Sequence, residues 1–107
     1  MSEEKYDGWV CDEGKRLSNT VRQNSYGHPI DDWSKTAKMW SAVLTRKLKE
    51  DITAEEAAMM MVCVKMSREA NMPKDDNVVD MAGYVNVLDI IKRERARREA
   101  EKDEEGS

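Results

Sequence analysis

Four charged side chains, Lys65, Arg68, Asp76 and Asp80, are spaced so that they could do chemistry together. Lys65 and Arg68 are three apart and Asp76 and Asp80 four apart, so in helices each pair shares a face. Between them lies Asn71-Met72-Pro73-Lys74, where Pro73 ends one helix before the next begins. The cations thus stand near the end of one helix and the acids near the start of its neighbour. A carboxylate in a mostly apolar seam requires a cationic partner, which predicts that Asp80 pairs with Lys65 or Arg68. The same trio could instead form a small polar pocket, with Lys65 and Arg68 receiving a phosphate and Asp80 a sugar or an amine.

A metal centre is the competing chemistry. One way to hold Mg²⁺ against a triphosphate is a set of about four carboxylates from two facing helices. The candidates are Glu55 and Glu56 on one helix and Asp76 and Asp80 on the next. Glu55 and Glu56 lie in a first turn, and one turn further on stand Met59 and Met60 where a second acid would be needed. Antiparallel packing also sends that first turn to the far end of the neighbouring helix. The residues alone therefore favour neutralisation, with Asp75, Asp76 or Asn77 capping the last helix and no cofactor; Mg²⁺ enters only under the alternative. His28, the only histidine, sits in Tyr26-Gly27-His28-Pro29, a setting for backbone hydrogen bonding in a turn more than for acid–base work. Tyr26 and His28 remain candidates for a binding surface, and Tyr84, after Gly83, for core or pocket wall.

The elements that must position these groups read as helices. Val10, Leu17 and Val21 recur at helical spacing behind Trp9, which predicts a short surface helix over about 9–23. It ends in the turn at Gly27-His28-Pro29. Trp33, Ala37, Trp40, Leu44 and Leu48 step by 4, 3, 4 and 4 and predict a second helix capped by Asp31 or Asp32, its two tryptophans anchoring the core. Thr53 and Glu56 form a capping box for a third helix to about Ala70, with Ile52 placed as a staple. The run from Ala57 to Val64 is apolar all round, predicting burial on most sides. The fourth helix has Val78, Met81, Ala82, Val85, Leu88 and Ile91 as its expected inner face. It continues into Lys92–Glu99 as a solvated charged extension, fraying after Lys102.

Composition bounds the function. One domain with a modest core suits 107 residues, and the scarcity of Gly and Pro with no Phe speaks against strands. A net charge of −4 argues against duplex nucleic acid, despite the five basic residues within 92–98. No apolar run is long enough for a membrane helix. Cys11 and Cys63 fit neither a metal spacing nor a disulfide framework, consistent with reduced thiols in an intracellular protein. Eight methionines, four of them between Met59 and Met66, suggest an adaptable core or a promiscuous binding face.

Taken in order, Tyr26-Gly27-His28-Pro29, Asp31-Asp32-Trp33, Thr36-Ala37, Met39-Trp40, Ile52–Ala57, Met60-Met61, Lys65, Arg68, Asp76-Asn77, Val79-Asp80 and Ala82-Gly83-Tyr84 form a pattern. It resembles a family of small bacteriophage proteins, common in phages of actinobacteria and without an agreed function, over about residues 25–85. Some of its members are similar to MazG-type all-α nucleotide pyrophosphohydrolases. That likeness implies Glu-x-x-Glu on one helix and Glu-x-x-Asp on the next; this chain has Glu55-Glu56 with no following acid, and Asn77-x-x-Asp80.

The expectation is an all-α four-helix domain over 9–91, preceded by a polar lead-in at 1–8 and followed by a charged helical tail at 92–107. It would be a phage accessory protein in the cytoplasm of the infected host, acting by binding a host protein or a small nucleotide. The alternative is a MazG-like, Mg²⁺-dependent pyrophosphohydrolase. Self-association is left open by the sequence.

Overall fold

The computed structural model describes residues 5–106, the side chains of Val21 and Arg22 excepted, and places no strand among them. Helix α1 (Trp9–Arg16) passes through a π-helical stretch (Leu17–Val21) into α2 (Arg22–Tyr26). The predicted first helix therefore exists but contains a widened turn. Ser18 Oγ donates to Gly14 O at 2.8 Å and accepts from Asn86 Nδ2 at 2.8 Å, while Asn86 Nδ2 also reaches Asn19 Oδ1 at 2.9 Å. The wider turn lets two successive polar residues meet one amide on a neighbouring helix. Gly27, at φ +81°, ends α2 as its sequence predicts.

Helix α3 (Pro29–Val43) is capped by His28, not by Asp31 or Asp32. Pro29 is at the first helical position, which leaves His28 extended at the cap, where its Nδ1 accepts from Ile30 N–H at 3.0 Å. Asp31 and Asp32 fall inside the first turn. The helix also ends before Leu48: Leu44–Lys47 form a turn, and Ser41 Oγ accepts from Ile52 N–H at 2.8 Å, drawing the following loop back onto α3.

Helices α4 (Ala54–Asn71) and α5 (Asp75–Glu105) form an antiparallel hairpin. The capping box at the start of α4 is complete, with both Thr53 and Glu56 taking part. The cap position of α5 is Lys74, which makes no side-chain cap bond; Asn77 is buried and its amide donates back to Glu69 Oε1 and Met72 O. The 31 residues of α5, about 46 Å at 1.5 Å per residue, account for most of the molecule's 58 Å length.

The core lies between α3, the first half of α4 and the middle of α5, and includes Ile30, Trp33, Ala37, Ala57, Val87 and Ile91. Trp33 stands edge-on to Tyr84, centroids 5.6 Å apart, and to Trp40 at 6.4 Å. Two expected faces are corrected. On α5 the expected Leu88 and Ile91 do pack in the core, but the inner face also takes in Val79, Asp80, Gly83, Tyr84 and Val87, and Val85 is 55% exposed. An apolar count alone rotates that stripe, because Asp80 and Gly83 are inward positions held by other means. On α4 only one face is covered; Met59, Met60, Cys63, Val64 and Met66 are exposed.

Candidate functional site

Where α1 crosses α5 the two backbones nearly touch. A Cβ on Gly14 would lie 2.7 Å from Gly83 N, so this crossing admits only glycine on the α1 side. The close approach brings the π-helical stretch down beside Lys65 on α4 and Asp80 on α5. Lys65 Nζ and Asp80 Oδ2 are 2.9 Å apart, the lysine side chain 14% and the aspartate 35% exposed. Lys65, and not Arg68, is the partner of Asp80.

Three adjoining hollows share Asp80. The first, of about 450 Å³, lies between the N-terminal helix and the hairpin and is lined by Tyr26, Lys65, Asp80 and Tyr84 together with Leu17 and Val87. Its volume is that of a small-molecule site, and polar and apolar side chains share its walls. The second, of about 320 Å³, holds Lys65, Arg68, Lys74, Asp76 and Asp80. The third, of about 390 Å³, lies beside Trp9 and Glu13 and includes Asp75 and Asp76. The Lys65–Asp80 pair is thus the common wall of the two hollows that also contain the tyrosines and the remaining cations. Among the described residues Arg68 and Lys74 take part in no ion pair.

Of the residues singled out in the sequence, Tyr26, Lys65, Asp80 and Tyr84 meet in the first cavity, and Arg68 and Asp76 join Lys65 and Asp80 in its neighbour. His28 is in neither; its ring is occupied by the cap of α3. Leu17 and Ser18 of the π-helical stretch also line the cavity, and no sequence signal marked them, since a π-turn follows from the contact with Asn86 and not from local propensity.

The acids of the metal alternative stand in two places. Both oxygens of Glu55 are taken by Arg95, at 2.6 and 2.8 Å, and that guanidinium holds the Glu55 carboxyl below its usual range. Glu56 completes the capping box. Both sit at the start of α4, and the ten residues to Lys65 put them about 15 Å along the helix from the level of Asp80. Among the described residues no three of His, Cys, Asp and Glu are grouped to hold a metal ion. The side chains present do not fit a four-carboxylate magnesium centre.

These features define a small all-α domain built around a polar cavity with an ion pair in its wall. The chain belongs to the family described as Domain of unknown function (DUF6378), whose model matches residues 10–95. It is similar to the Gene 55 protein of Mycobacterium phage L5, 33% identical over 81 residues, covering 75% of this chain and 50% of that protein. It is also similar to the Gene 55 protein of Mycobacterium phage D29, 28% identical over 86 residues, covering 79% of this chain and 54% of that protein. The chain therefore spans about half the length of the curated phage relatives it matches. No solved structure matches it.

Proposed function

We propose that this protein is a phage accessory protein that acts by binding a small nucleotide in the cavity between the N-terminal helix and the α4–α5 hairpin. The observation that carries the reading is the placement of Lys65 and Asp80 between a cavity bearing two tyrosines and a hollow bearing two uncommitted cations. Tyr26 and Tyr84 offer aromatic surface to a base, an interaction worth roughly 1–3 kcal/mol per base in other proteins. Asp80 can accept from a sugar hydroxyl or an exocyclic amine while Lys65 keeps it neutralised. Arg68, with Lys74 beside it, supplies charge-assisted hydrogen bonds for a phosphate at the mouth of the adjoining hollow. Recognition of this kind needs no divalent cation, and its setting would be the cytoplasm of the infected host.

The test is thermal denaturation against a panel of nucleoside mono-, di- and triphosphates, with and without Mg²⁺. Binding to the folded state stabilises it by RT ln(1 + L/Kd) at free ligand concentration L, so the midpoint rises with ligand concentration. We expect a rise with at least one nucleotide, equal in the presence and absence of Mg²⁺ and removed by Arg68→Ala. A flat panel would discard the nucleotide and leave a host protein as the partner. A shift that requires Mg²⁺ would favour the hydrolase.

A further inference from the structure

Helices α3, α4 and α5 each give buried side chains to the core, and the N-terminal segment over residues 9–26 gives none among its described residues. Its buried positions are Gly14, which has no side chain, and Ser18, which is polar; Trp9, Val10 and Leu17 are half-buried. The segment is seated by fit and by polar ties instead, through the Gly14–Gly83 crossing and the bonds of Ser18 and Asn19 with Asn86. Such ties fix a position while burying little apolar surface, and an element that buries little opens before the rest of its domain. The segment also ends in a joint. Gly27 N–H donates to Gln23 O at 2.9 Å and closes α2, while the first bonds of α3, from Asp31 and Asp32 N–H, are accepted by His28 O. The helical ladder breaks between Gly27 and His28, where Gly27 has φ +81° and open space about it. Just beyond, Ile30 and Trp33 are fixed in the core.

We propose that the N-terminal segment is a hinged clasp over the cavity, lifting from the hairpin as one unit about Gly27 while α3, α4 and α5 stay folded. The cavity has a wall on each side of this seam: Leu17, Ser18 and Tyr26 on the segment, Lys65, Asp80 and Tyr84 on α4 and α5. Lifting the segment takes one wall away. A molecule that touches both walls therefore binds the closed form more tightly and shifts the population towards it. That coupling rests on the nucleotide reading; the opening follows from the burial and the joint and stands without it.

The test is native-state hydrogen exchange of the full chain, resolved by residue, over a series of low denaturant concentrations. The hydrogen-bonded amides within 12–26 are expected to share one protection factor, at least about tenfold below that of the core amides of Ala57, Ala58, Val87 and Ile91. Denaturant should speed the core amides steeply and those of the segment only slightly, because lifting the segment exposes less surface than unfolding the domain. Equal protection and equal denaturant slopes in the two groups, or protection that differs amide by amide within the segment, would overturn the proposal. A nucleoside phosphate that raises the melting midpoint is then added at about 100 times its Kd, where exchange of the segment should slow about 100-fold together with that of the core. Slowing confined to the core would mean that the ligand stays bound when the segment lifts, which contradicts the clasp. If no nucleoside phosphate shifts the midpoint, the nucleotide reading fails, and the exchange of the free protein decides the opening by itself.

Discussion

The α4–α5 hairpin carries a cross-helix ion pair at each end, and the two are set in opposite surroundings. Near the connecting loop, Lys65 meets Asp80 through one 2.9 Å contact at the edge of open hollows, where α1 crosses on the glycine pair. At the other end, Arg95 grips both oxygens of Glu55 just outside the filled core of Ala54, Ala57, Ala58 and Ile91. Arg98 adds a longer contact to Asp31 at the start of α3. A bidentate clasp over packed side chains fixes geometry; a single contact beside empty space can be shared with an incoming group. Charges of the same kind therefore form a staple at one end of the hairpin and the wall of a candidate site at the other.

This contrast can be broken at four places, the first with the largest effect. Gly14→Ala should destabilise by about 2–3 kcal/mol, because the new Cβ meets backbone at 2.7 Å and α1 must lift from α5. Gly83→Ala should be nearly neutral, since its Cβ would make an ordinary 3.5 Å contact with Gly14 O. Chemical denaturation of the two variants checks the asymmetry. Lys65→Met should cost about 1–2 kcal/mol, less than a fully buried pair because Asp80 keeps some water, and adding Asp80→Leu should recover most of the loss.

Glu55→Gln should cost about 0.5–1 kcal/mol, as expected for a partly exposed bidentate pair. Its pH dependence has a definite sign. Arg95 lowers the Glu55 pKa in the folded chain, so the contribution is complete above the ordinary value of 4.5 and is lost as pH falls through the lower folded value. Denaturation midpoints of wild type and Glu55→Gln should converge in acid and separate towards neutrality. Arg68→Ala, the smallest in stability, should leave the midpoint of the free protein unchanged and remove only the nucleotide-dependent shift.

The legible part of the fold was the part written in local signals. The Thr53–Glu56 box, the Trp33–Ala37–Trp40 stripe, the stop at Gly27 and the break at Pro73 all depend on residues a few positions apart. The Lys65–Asp80 contact was legible too, because only a short turn separates the helices that carry it. Readings failed where a distant residue decides the outcome. The π-turn follows from Asn86, 68 residues beyond Ser18, and α3 ends early where Ser41 holds Ile52. The inner face of α5 was rotated because Asp80 and Gly83 do not look apolar, although Lys65 and Gly14 make them inward positions. The tail is solvated as expected, residues 96–106 being exposed, but the ties that Arg95 and Arg98 make to the starts of α4 and α3, forty and sixty-seven residues away, were not legible. For the site, the hairpin half was legible and the half contributed by the N-terminal helix was not.

Neutralised by Lys65, Asp80 is proposed to serve binding rather than magnesium chemistry. Calorimetric titration of the wild type with a nucleotide that shifts its melting, with and without Mg²⁺ and followed by chromatography of the recovered nucleotide, tests this directly. Equal heats in both buffers and the nucleotide returned intact are expected. Pyrophosphate released only with Mg²⁺, and abolished by Asp80→Asn in a folded protein, would contradict it.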